Sequence, residues 1–177
     1  MSLPVTAFVA ILMKPNHCSW RSPPRSEQRR GFAITFDAHA ETLSGRASVI
    51  DGDTLEIHGE RVRLLDVDAP EGGQTCTRPD GSEWKCGQYV ANKLVDWMGT
   101  RVVTCEADRK DRYGRWLGNC MSGGEDMALW LASRGWALPY RECKCEVIRD
   151  AAERARFGRA GIWSGTFMMP WEWRKAN

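Results

Sequence analysis

The chain has 177 residues, 42% hydrophobic and 27% charged, which suits one ordinary domain with extra segments at its ends and excludes a repeat or low-complexity architecture. No apolar run approaches the roughly 18 residues that would cross a membrane. Net charge is +2, but residues 1–40 hold five of the 25 basic residues and two of the 23 acids. From residue 41 onward the balance is near −1, so a generally basic nucleic-acid surface is excluded.

Residues 1–43 read as an N-terminal extension without fixed structure. Leu3 to Met13 is apolar but lacks a basic leader, and Asn16 to Arg30 is rich in Pro, Ser and Arg. Arg29-Arg30, a short apolar stretch to Phe36, and Ala38-His39-Ala40 then follow the order of a signal peptide. The arginine pair faintly resembles a twin-arginine signal. The expectation is a degenerate export signal ending near Ala40, hence a secreted or periplasmic protein, or a cytoplasmic one if the segment is no signal.

Residues 44–166 carry the folded domain. Arg46–Ile50, Asp53–His58 and Arg61–Val67 are short runs rich in β-branched residues, with turns at Asp51-Gly52 and His58-Gly59. Asp53 shares the parity of Leu55 and Ile57 and so faces the apolar side, where a carboxylate is costly unless paired or bound to metal. Leu64-Leu65 breaks the alternation of the third strand and predicts a bend. Cys86 to Met98 reads as a helix ended by Gly99. Arg101–Glu106 and Arg115–Met121 read as strands joined around Asp111–Gly114. Asp126–Arg134, N-capped by Asp126, and Glu146–Phe157 read as two further helices. Three strands, a helix, two strands and two helices predict an α+β fold: a five-stranded OB-type barrel plus three helices. Residues 167–177, with Trp171 and Trp173, read as a tail that packs its indoles on the domain.

Of the seven cysteines, the six after position 40 (Cys76, Cys86, Cys105, Cys120, Cys143 and Cys145) are disulfide candidates, an even set once the N-terminal segment is set aside. A hairpin turning at Asp111–Gly114 sets Cys105 opposite Cys120. Cys76 and Cys86 bracket a polar loop and suit a local bridge. Cys143 and Cys145 are too close for an easy mutual bridge, and their pairing stays open. The only tight spacing is C-x-C, with all three histidines elsewhere, which argues against zinc.

Three short motifs hold the chemistry: VIDGDTL (49–55), RLLDVDAPE (63–71) and DRYGR (111–115). Asp53 and Asp68, at the ends of neighbouring strands, are oxygen ligands for a hard cation. Glu71, behind Ala69-Pro70, can hold or deprotonate water. Arg63 and Arg115 can each grip phosphate oxygens bidentately. Spacing alone leaves surface salt bridges an equal reading.

The three motifs in this order, over about Ser44 to Ser164, resemble the staphylococcal nuclease (thermonuclease) family. The resemblance implies cleavage of DNA and RNA on the 5′ side of the phosphodiester by a monomer dependent on one Ca2+ ion, with Mg2+ as second choice. It assigns Asp53, Asp68 and the backbone carbonyl of Ala69 to the metal. Glu71 becomes the general base, Arg63 and Arg115 the phosphate-binding arginines, and Arg112 and Tyr113 contacts to a terminal phosphate. Ala69 departs from the family's threonine, and Ala128 from its frequent asparagine. The loop before DRYGR is shorter, and the insert Gly72–Cys86 is an addition. The alternative reading is a catalytically silent OB-fold module that binds nucleic acid or protein. Such modules typically lack the metal acids or the arginines, and all five stand here.

Overall fold

The computed structural model describes residues 40–177, so the expectations for the export signal lie outside the described residues. In chain order the elements are β1 (Glu41–Gly45), β2 (Ala47–Asp51), β3 (Thr54–Ile57), β4 (Glu60–Leu64), β5 (Val67–Asp68), β6 (Cys76–Thr77) and β7 (Glu83–Trp84). Then come α1 (Cys86–Met98), β8 (Val103–Lys110), β9 (Trp116–Ser122), β10 (Glu125–Asp126), α2 (Met127–Ser133) and β11 (Leu138–Pro139). The chain closes with α3 (Glu146–Phe157), a 3-10 turn at Gly161–Ser164, β12 (Thr166–Phe167) and α4 (Pro170–Ala176).

A curled half-barrel sheet runs β1-β8-β9-β4-β3-β2, with β10 attached to β9. All pairs are antiparallel except β4 with β9. Leu55, Ile57, Val62 and Leu64 point inward from β3 and β4 and are essentially without exposure. Val90 and Leu94 of α1, Leu131 of α2 and Ile148 of α3 are buried as well. Each such side chain contributes about 1.5–3 kcal/mol by leaving water. The α+β, OB-like class agrees with the sequence reading.

Three details differ. The sheet begins at Glu41, before the expected boundary at Ser44, because residues 41–45 pair with Ala107–Val103 of β8. Polar residues at 41, 42 and 44 hid a strand whose stability comes from its ladder. The expected third strand is two strands, β4 and β5, split by a turn in which Asp66 adopts φ 65°; the Leu64-Leu65 break marked that bend. Among the described residues there are four α-helices instead of three, the fourth lying in the tryptophan-rich tail.

Cys105 and Cys120 are direct cross-strand partners and form a disulfide. The register slips by one residue between Ala107 and Arg109, so the turn at its tip sets Lys110 opposite Trp116. A second disulfide joins Cys76 to Cys86. Cys143 is a correction to the disulfide candidates: its buried thiol is free and donates to the Cys145 carbonyl at 3.6 Å. Cys145 is disulfide-bonded, so the C-x-C pair does not bridge itself.

The insert has a structural role. β6 pairs with β7 on one side and with β12 on the other, so the cysteine-bearing loop and the C-terminal tail share one small sheet. Gln74 is fully buried; its side-chain nitrogen donates to the Met168 carbonyl at 2.6 Å, and its oxygen accepts from the Glu71 amide at 3.2 Å. One side chain therefore ties the Glu71 loop to the chain just ahead of α4.

Candidate active site

The VIDGDTL segment turns tightly because Asp51 Oδ1 accepts from the Asp53 amide at 3.1 Å. Gly52 permits the approach of its neighbours: a Cβ there would lie 2.7 Å from the Ala69 methyl and 2.9 Å from Val90. The turn delivers Asp53 beneath the sheet with 3% exposure. Its Oδ2 accepts from the Ala69 amide at 3.0 Å, and its Oδ1 from Thr54 and from Arg63.

Arg63 leaves β4 opposite Thr54 and spans two acids. Nη1 lies 2.5 Å from Asp53 and Nη2 lies 2.9 Å from Asp68, itself fully buried. Burial opposes the charge on Arg63, but the two carboxylates outweigh it and raise its pKa above the ordinary value. Burial dominates at Asp53 in the other direction. It pushes the carboxyl up to about 7, reinforced by the charges of Asp51 and Asp68, with Arg63 pulling against it. At Asp53, burial therefore outweighs the ion pair with Arg63.

Glu71 sits in the loop after Ala69-Pro70, locked by the head of α1. A Cβ on Gly87 would fall 1.6 Å from the Glu71 carbonyl oxygen, so only glycine fits that crossing. Arg115 ends the DRYGR turn. Asp111 accepts from the Arg115 amide and Nε at 3.0 and 2.9 Å, and these bonds, working against burial, lower the Asp111 pKa. Arg115 Nη1 reaches Thr54 Oγ1 at 3.4 Å, and Thr54 in turn touches Asp53 at 3.2 Å. The two arginine motifs are therefore joined through one hydroxyl. Arg112 and Tyr113 lie at the exposed apex of the same turn, with Arg112 donating to the Tyr113 hydroxyl at 2.6 Å.

Of the five expected residues, Asp53, Arg63, Asp68 and Arg115 stand in one linked cluster with Ala69 buried against it, and Glu71 joins it through Arg174. Sequence reasoning missed Arg174. From α4 it grips both oxygens of Asp68, at 2.9 and 2.8 Å, and contacts Glu71. Its bonds to Asp68, more than its bond to Glu71, hold its pKa well above the ordinary value. A basic residue directly after two tail tryptophans was the only signal.

Among the described residues, no three His, Cys, Asp or Glu side chains converge as a ready cation cage. The acids are instead divided among arginines. The donor set itself is all oxygen, and Asp53 and Asp68 are both buried carboxylates. That chemistry fits a hard divalent cation and not a soft one.

A curled barrel that gathers acids and arginines at the ends of β3, β4 and β5 defines a phosphodiesterase type of site. The chain belongs to the staphylococcal nuclease homologue family, whose family model matches residues 61–165. It is 41% identical over 133 residues to the succinoglycan biosynthesis protein ExoI of Rhizobium meliloti (strain 1021), covering 73% of this chain and 70% of that protein. It is 30% identical over 161 residues to a micrococcal nuclease of Shigella flexneri, covering 81% and 87% of the two. To the thermonuclease of Staphylococcus intermedius it is 33% identical over 125 residues, covering 65% and 72%.

Proposed function

We propose that the chain is an exported, monomeric, Ca2+-dependent nuclease that hydrolyses phosphodiester bonds of DNA and RNA without strong sequence preference. The linked cluster of two buried aspartates, a loop glutamate and two arginines carries this reading. The nuclease names borne by relatives in Shigella and Staphylococcus support it.

Asp53, Asp68 and the Ala69 carbonyl would hold the cation, which supplies positive charge beside the reacting phosphate. Arg63 and Arg115 bind the equatorial phosphate oxygens, where negative charge grows as water attacks. Glu71 orients that water and takes its proton. The near-neutral core adds little long-range attraction for a polyanion, so these groups supply most of the grip. A catalytically silent module would have no use for a loop glutamate locked in place by Gly87 and Gln74.

Incubation of the full chain with single-stranded DNA, in Ca2+ or in EDTA, tests the proposal. Cleavage is expected in Ca2+ only, and Glu71→Gln should lower it at least a hundredfold. A parent protein that leaves the DNA intact in Ca2+ would sink the enzyme reading.

A further inference from the structure

Neither the three sequence motifs nor the residues expected at the site account for Arg174. It is the only basic side chain that α4 sends onto the acids, and three features place it there. The small sheet β12-β6-β7 anchors the tail. Gln74 fastens Met168 to the Glu71 loop. Trp173 lies over Gly73, its ring edge 3.6 Å from where a Cβ would stand, next to the loop that bears Glu71.

Arg174 also mirrors Arg63. Both bind Asp68, Arg63 from inside the sheet and Arg174 from the chain's end. Asp68 Oδ1 accepts from both guanidiniums, so two arginines converge on one carboxylate. Arg63 is confined within the barrel at 13% side-chain exposure, whereas Arg174 keeps 36% and has room to turn. A divalent cation on Asp68 would repel the Arg174 guanidinium. The nearest anion then open to that fork is the substrate phosphate, which offers the same two-oxygen geometry as a carboxylate.

We propose that Arg174 is a third phosphate-binding arginine of the site, held on Asp68 and Glu71 until a metal-bound phosphodiester draws it across. The move does two things at once. It adds a bidentate donor to the phosphate, and it frees the Glu71 carboxylate from its ion pair with that guanidinium. The assignment rests on the nuclease reading and deepens it.

The test compares the full-length parent with Arg174→Gln and Arg174→Lys. Cleavage of single-stranded DNA in Ca2+ is measured, together with calorimetric binding of thymidine 3′,5′-bisphosphate in Ca2+ and of Ca2+ alone. Arg174→Gln should lower kcat/KM about a hundredfold, the scale of one lost transition-state donor. Its bisphosphate affinity should fall about tenfold, with Ca2+ binding no weaker than in the parent. Arg174→Lys should recover part of the loss as a point charge without the fork. Equal thermal midpoints in EDTA would establish that the variants fold. A variant that cleaves and binds the bisphosphate as well as the parent does would overturn the assignment while leaving the nuclease intact. A parent that neither cleaves nor binds would remove both.

Discussion

Asp68 is held from two sides that differ in kind. On the barrel side, Arg63 on β4 faces Thr54 across the ladder, and Asp53 stands in the turn just before Thr54. On the tail side, Arg174 arrives from 106 residues away on a seven-residue helix with Pro170 as its buried residue. The barrel side is built into the core. The tail side is fastened to it by a two-residue strand pair, a glutamine and an indole. A site can therefore combine a rigid half, which fixes geometry, with a half that is placed but displaceable.

The largest effect expected of that difference is at Arg63. Arg63→Ala removes a donor held inside the barrel and leaves the buried Asp53 without its guanidinium, while Asp68 keeps Arg174. Cleavage of single-stranded DNA in Ca2+ should fall several hundredfold, about 3–4 kcal/mol of transition-state stabilisation. A loss under tenfold would mean the barrel side is no more essential than the tail. Next comes the support of the barrel side. Leu55 is fully buried between Thr54 and the core, and Leu55→Ala should cost about 2–5 kcal/mol in urea unfolding. The smallest effect is expected where the tail is fastened. Gln74→Ala leaves the Glu71 amide and the Met168 carbonyl without their partner, at about 1–3 kcal/mol. Hydrogen exchange should show α4 losing protection first. Uniform loss across the barrel would erase the distinction between the two halves.

The barrel half was readable because its rules are local. Strand parity turned Asp53 inward, and the structure buries it. Helical spacing marked Cys86–Met98 with the observed limits. The hairpin set Cys105 against Cys120, although the slip between Ala107 and Arg109 was invisible because a bulge leaves no residue-type signature. The tail half depends on contacts between distant segments. Gln74 and Met168 lie 94 residues apart, and nothing in either neighbourhood announces the other. The tail was expected to pack its tryptophans on the domain, and Trp173 does lie against Gly73. The arginine that follows it went unread, since a single exposed basic residue near a chain end is ordinary. Cys143 shows the same limit: counting cysteines implied pairing, while the structure leaves this buried thiol free, its pKa pushed up by burial and by Asp66.

The bridge between Cys76 and Cys86 couples the tail to redox conditions. It joins β6, the strand on which the tail docks, to the first residue of α1, whose next residue, Gly87, locks Glu71. In an oxidising compartment that covalent staple holds the docking strand and the catalytic loop as one piece. Reduction of that staple would leave β6 tied to α1 by noncovalent contacts alone, as it would leave β8 and β9 without the Cys105–Cys120 bridge.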